Sequence, residues 1–308
     1  NKAKGFYGSF TIAAGQGVYP KNNNSLQLNY RSGKFNTFFN YNMNLVKYYT
    51  DIYAHRKYYD NNGTLTAVLD QPTTFTGRFL NNTVKAGIDY YVSSKTTLGI
   101  VFGGTAIRRK GNGNAGATWL NAAGAVDSAV ATSSSSNNRF KNSMINFNVR
   151  HTISAQQDIT ADIDWLNYTI NSEQEFNNAL LSPGGYQEAS RGNIPSGIKI
   201  LSGKVDHTLR LKKNTSIQSG WKSSHIATDN TASYQNFDGS VWKEDYGKSN
   251  HFLYKENIHA LYSSIETKYK RFSMQAGLRY EYTSYDANQL GNVQQKDSAF
   301  SRNYSGLF

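Results

Sequence analysis

Three carboxylates, Asp158, Asp162 and Asp164, stand four and two residues apart in one short stretch. In extended backbone, residues two apart share a face, so the three would project together. Grouped carboxylates are the raw material of general acid–base catalysis, and His151, His225 or His259 could supply a base for hydrolysis. The constellation stops there. The chain has no HExxH run, no serine-centred elbow and no second matching cluster, so no enzyme is expected. The aspartates are expected instead to pair with Lys or Arg on neighbouring strands. The six His residues are scattered, and His55, His225 and His251 fall at or near loops without metal-ligand spacing. No metal and no cofactor is expected. Tyr186, Tyr234 and Trp242 could stack on a sugar or aromatic ligand, although rim-anchoring is the commoner use of such rings.

The elements that carry these residues read as long strands. Phe272, Met274, Ala276, Leu278, Tyr280 and Tyr282 alternate with Ser273, Gln275, Gly277, Arg279, Glu281 and Thr283. Val84, Ala86, Ile88, Tyr90 and Val92 alternate in the same way, as do Ile145, Phe147 and Val149 against Asn146, Asn148 and Arg150. Period two is a strand with one apolar and one polar face. Tight polar turns near Ser32, Ser94, Gln156, Lys213 and Lys270 recur about every 60 residues, with longer polar stretches between them. Residues 51–72, 110–138, 172–195 and 229–250 are expected to be long loops, with a small hairpin possible within the first and a mobile 110–138 segment. Pro183-Gly184-Gly185 marks a turn within the third. This is the rhythm of an antiparallel, up-and-down transmembrane β-barrel, with roughly eleven full strands and the start of one more. The polar faces then supply the candidate lumen residues for a ligand route or a plug contact: Arg150, Asp162, Asp164, Lys204, Arg210, Lys222, Arg279 and Glu281. The plainer alternative is a mutually compensating charge ladder on a solvated wall.

Composition agrees. Of 308 residues only 38% are hydrophobic, yet 22 are Tyr and 16 Phe. A barrel with a wet lumen needs one apolar face per strand and places Tyr at both interfaces. No run of apolar residues is long enough for a transmembrane helix, which leaves a β-barrel open as a membrane structure. The chain has no Cys and carries a formal charge of +12. Its Lys and Arg are dispersed without a clustered patch or a binding motif, so nucleic acid is not expected as a partner. They are expected in the lumen and at the membrane rims, facing anionic lipid headgroups.

At Ala86-Gly87-Ile88-Asp89-Tyr90-Tyr91, at Ser94-Lys95-Thr96-Thr97-Leu98-Gly99 and at Ala276-Gly277-Leu278-Arg279-Tyr280-Glu281, the sequence resembles the TonB-dependent receptor-like outer-membrane proteins of Bacteroidetes. Gly5-Phe6-Tyr7-Gly8-Ser9 and Tyr304-Ser305-Gly306-Leu307-Phe308 resemble strand starts of that family. The resemblance implies a bacterial outer-membrane location and a single partial barrel domain over residues 1–308, about half of a 22-stranded barrel. It implies TonB-dependent uptake of a scarce ligand such as a siderophore or glycan. The partners it implies are outer-membrane lipid, an N-terminal plug, TonB and a small ligand at the extracellular loops; plug and C-terminal strands are expected to lie outside this sequence. The alternatives are a passive porin, a barrel-type outer-membrane hydrolase, or a soluble surface β-sandwich or adhesin. The long stretches should then be extracellular and the tight turns periplasmic. A cysteine introduced at Ser134 is expected to react with an impermeant thiol reagent on intact cells. One at Ser94 should react only after the membrane is breached; labelling at Ser94 first would invert the orientation.

Overall fold

The computed structural model describes residues 4–212 and 214–308. It contains β1 (Gly5–Gln16), β2 (Pro20–Ser32), β3 (Phe35–Tyr59), β4 (Leu65–Tyr91), β5 (Thr96–Asn121), β6 (Val126–Ser154) and β7 (Gln157–Ser182). It continues with β8 (Gln187–Lys212), β9 (Thr215–Phe237), β10 (Trp242–Glu244), β11 (Asn250–Tyr269), β12 (Phe272–Leu290) and β13 (Ser298–Leu307). All belong to one 13-stranded sheet in which neighbours in sequence are neighbours in space. The short β10 alone leaves this path and pairs with β9. Every pairing is antiparallel. The sheet is open, with β1 and β13 at its edges. It is one continuous sheet, which does not form the two packed sheets of the alternative soluble β-sandwich.

The turns near Ser32, Ser94, Gln156 and Lys270 fall between paired strands as expected, and the one at Lys213 lies outside the described residues. Gly33, at φ 54°, takes a left-handed conformation that its missing Cβ makes inexpensive. The Ser93 hydroxyl closes the next turn by accepting the Lys95 and Thr96 amides, each at 3.1 Å.

The expected long loops are corrected. Within residues 51–72 the small hairpin forms as expected, from Tyr53–Tyr59 and Leu65–Leu69, but as the continuation of β3 and β4; residues 110–138 extend β5 and β6, and residues 172–195 extend β7 and β8. Residues 229–250 hold the rest of β9, all of β10 and the start of β11. The connections shrink to short turns, and several are organised by one side-chain oxygen. Asp60 Oδ1 accepts the amides of Asn62 and Thr64 at 2.9 and 2.8 Å. Asn121 Oδ1 accepts those of Ala123 and Ala125, both at 3.0 Å, and Asp238 Oδ1 those of Ser240 and Val241, also at 3.0 Å. Such Asx closures need no apolar pattern, only one short polar residue at the bend. The Gly, Ala, Asn and Ser residues of 110–138 show no alternation because both their faces are wettable; backbone pairing with neighbouring strands still extends them.

Register turns the alternation into a band. Phe35, Tyr90, Leu98, Val149, Ala161, Val205, Trp221, Leu261, Tyr280 and Leu307 lie directly opposite one another in a continuous row from β3 to β13. Phe35 and Tyr90 stack at 4.9 Å. On this face residues 35–45, 80–90, 98–106, 143–151 and 201–209 carry no Lys, Arg, Asp or Glu. Each run has the height of roughly 9–11 residues that a tilted strand needs to cross hydrocarbon.

Nothing among the described residues covers the band. Leu98 is 41% exposed, Trp221 44% and Leu278 65%; among the described residues only Leu69, Ala260 and Ala287 are buried hydrophobics. The accessible surface is 19839 Å². A compact soluble monomer of this mass exposes about 12,900 Å². An apolar face of this extent needs an apolar solvent. Phe102→Arg, within the band, is expected to cost about 2–4 kcal/mol of stability in a bilayer, and Ala106→Arg, at its margin, about 0–1 kcal/mol. Reversible unfolding of the lipid-reconstituted protein measures both, and equal costs would count against hydrocarbon on this face.

Candidate functional site

The face opposite the band is polar over the same height. Asn36, Asp89, Gly99, Asn148, Asp162, Lys204, Lys222, Ala260 and Glu281 lie opposite one another across successive strands. All eight candidate residues named from the sequence fall on this face. They sit toward the ends of β6, β7, β8, β9 and β12 nearest the tight turns.

Two clusters organise them. In the first, Asp158, nearly buried, accepts the Thr152 hydroxyl at 2.8 Å and lies 2.6 Å from Arg210 and 3.9 Å from Arg150. In the second, Asn148 donates to Asn146 at 2.8 Å, and Asn146 donates to Asp164 at 2.8 Å and to Asp162 at 3.4 Å. Lys204 Nζ bridges Asp162 and Asp206, 3.6 Å from each. The Tyr262 hydroxyl donates to the other Asp206 oxygen at 2.5 Å. Arg279 lies over the Tyr262 ring at 5.9 Å and donates to Glu281 through Nε at 2.9 Å. Tyr262 reaches Asp206 across the intervening strand because Gly220 stands between them; a Cβ there would come within 2.6 Å of both side chains.

Lys222 has no carboxylate within ion-pair distance among the described residues, and its directly paired neighbour is another cation, Lys204. Sequence reading missed Asp206 and Tyr262. Their signal is weak, because Asp206 is one more polar residue among those alternating along its strand and Tyr262 interrupts the polar pattern with a ring.

The hydrolytic grouping does not assemble. His151 bonds Thr96 at 2.8 Å, His225 bonds Asn257 at 2.7 Å and His259 bonds Ser223 at 3.0 Å. By alternation all three lie on the apolar-band face, across the sheet from the aspartates. Among the described residues no group of three or more potential ligands could hold a metal. Tyr186 is exposed, while Trp242 packs against Phe237 at 5.4 Å with Arg191 4.3 Å above its ring. Tyr234 lies on the other face, against Gly192 and Gln174, so the three rings do not form one platform.

Beyond the band, toward the hairpins at the far end, Asp70 accepts the Tyr53 hydroxyl at 2.6 Å and lies 2.6 Å from His55 Nδ1. The tyrosine hydrogen bond, with the imidazole behind it, holds the Asp70 carboxyl below the ordinary carboxylate range. Lys243 and the amides of the tight turn do the same for Asp238.

The profile of the outer membrane protein beta-barrel family matches residues 151–308, just over half of the chain. The chain belongs to this family. Its place is accordingly the bacterial outer membrane, with the apolar band against lipid. No curated protein matches the chain. Among solved structures it is similar to the outer membrane protease OmpT from Escherichia coli, at 8% identity and TM-score 0.29, over 87% of this chain and 93% of that one. It is also similar to the Pseudomonas putida toluene transporter TodX, at 9% identity and TM-score 0.31, over 98% and 86% of the respective chains. A third is the ferric citrate transporter FecA, at 9% identity and TM-score 0.30, over 94% of this chain but 52% of that one.

The clusters differ in what they contribute to stability. Arg210→Ala strips Asp158 of its nearest cation and is expected to cost about 1–3 kcal/mol. Lys222→Ala removes an unpaired charge facing Lys204 and should be neutral or slightly stabilising. Urea unfolding in lipid vesicles compares the two, and a larger loss for Lys222→Ala would mean that it has a partner in the folded barrel.

Proposed function

We propose that the polar wall lines the lumen of an outer-membrane uptake barrel, of the TonB-dependent receptor type that the sequence resembles. The observation that carries this reading is the placement of all eight candidate residues on the face opposite the lipid band near the tight-turn end, seven of them in two charged clusters and Lys222 outside both. Lipid on one side of a single-layer sheet leaves the other side for water, a plug or a ligand. In this reading the tight turns are periplasmic and the far ends of β3 to β9, which rise well above the band, are extracellular. The sheet forms about half of a 22-stranded barrel, completed by further strands. An N-terminal plug contacts Lys222 and the Lys204 cluster, since an unpaired lumen cation is a ready partner for a carboxylate from another segment. The imported ligand is a scarce siderophore or glycan, and neither a cofactor nor catalysis is part of this function.

The test is uptake by cells carrying the intact gene. A TonB-dependent receptor loses accumulation of its ligand when the proton gradient is collapsed or TonB is deleted, and Lys222→Glu should reduce transport at least tenfold by repelling a carboxylate plug contact, one lost pairing being worth about that factor. Flux that persists unchanged under both treatments would replace this reading with a passive porin.

A further inference from the structure

On the lipid-facing side, the first charged residue above the band is acidic on β7 (Glu173), β9 (Asp229) and β12 (Asp286), but basic on β3 to β6 and on β8. The basic ones are Lys47 on β3, Arg78 on β4, Arg108 on β5, Lys141 on β6 and Lys199 on β8. Three cations stand in direct register: Lys47 is paired with Arg78, and Arg78 with Lys110. Arg108 is likewise opposite Arg139. Like charges placed directly across strands destabilise a sheet. Among the described residues Lys47, Arg78, Lys110 and Arg108 have no carboxylate within ion-pair distance, whereas Arg139 lies 3.8 Å from Glu173.

The same level carries a trough of about 910 Å³, whose lining includes Lys47, Arg78 and Lys110 from β3 to β5, and Glu173, Glu175 and Arg191 from β7 and β8. Asn137 donates to Glu173 at 2.6 Å and Asn177 to Glu175 at 3.4 Å, so both carboxylates are already engaged and the basic end is not.

We propose that Lys47, Arg78 and Lys110, supported by Arg108, form a binding site for the phosphate groups of a phosphorylated lipid of the outer leaflet. The position argues for lipid over a soluble anion. The cations share a face with the band and begin where it ends, at the depth where acyl chains give way to headgroups. A phosphorylated headgroup held there has its chains against the band and its phosphates between three otherwise uncompensated cations. Arg78 offers a planar fork for two phosphate oxygens, and the lysines offer mobile point charges. The assignment to the outer leaflet rests on the orientation given under Proposed function; the lipid-facing placement does not depend on transport.

The full-length protein, extracted from outer membranes in mild detergent and delipidated, is titrated with diphosphoryl lipid A, with its dephosphorylated form and with inorganic phosphate, and bound lipid is counted by native mass spectrometry. Diphosphoryl lipid A should bind, and the triple variant Lys47→Gln, Arg78→Gln, Lys110→Gln should weaken it about a hundredfold, each cation contributing about fivefold at a membrane surface. The charge-conserving variant Lys47→Arg, Arg78→Lys, Lys110→Arg should stay within about tenfold of wild type, losing only geometry. Equal binding of the dephosphorylated form would overturn the proposal in favour of acyl-chain contact alone. Inorganic phosphate that binds as tightly as the lipid would overturn the lipid assignment. Unchanged binding in the triple Gln variant would remove the site altogether. Impermeant cysteine labelling checks the leaflet separately, so a failure of orientation or of transport is distinguishable from a failure of this site.

Discussion

Hydrocarbon offers no hydrogen bonds, and the backbone ladder, continuous from strand to strand across the band, is the feature on which everything else here depends. A strand crossing lipid must give every amide and carbonyl to a neighbouring strand, which forces long antiparallel pairing in nearly constant register. Once the register is set, a slip of one residue would carry a whole strand's apolar set to the wrong side. The row from Phe35 to Leu307 and the row through Asp162, Lys204 and Glu281 are two consequences of that one constraint.

The two faces solve opposite problems. The band leaves large apolar side chains uncovered, which is tolerable only against acyl chains. The other face gathers charge, and there neutralisation is local and incomplete. Asp158 and Asp206 are each met by a cation and a hydroxyl, while Lys222 is left facing Lys204. Above the band the contrast between faces weakens, since water reaches both sides, and the strands persist because each inherits pairing from its neighbours. Asp60, Asn121 and Asp238 then close the hairpins with a single oxygen each.

Much of this was legible in the residues. Period-two alternation in 84–92, 145–150 and 272–283 marked strands with one lipid-compatible face, and short polar steps marked their turns; both follow from local side-chain geometry. The grouping of Arg150, Asp162, Asp164, Lys204, Arg210, Lys222, Arg279 and Glu281 on one face was likewise readable, because parity along each strand assigns it. The hairpin that ends β3 and begins β4 was partly legible, but the far halves of β5 to β9 were not readable as strands. Their Ser, Asn and Gly residues have little strand preference, and where both faces are wet there is no alternation to detect.

The sequence by itself determined the class of structure, the polar and apolar faces and the absence of a helical membrane span, since these depend on residues near one another in the chain. Only the tertiary structure decided which residues meet. That Tyr262 reaches Asp206 over Gly220, that the histidines lie across the sheet from the aspartates, and that Lys47, Arg78 and Lys110 align at the upper edge of the band are all matters of register between strands. Register is set by pairing between segments far apart in sequence, and no local pattern encodes it.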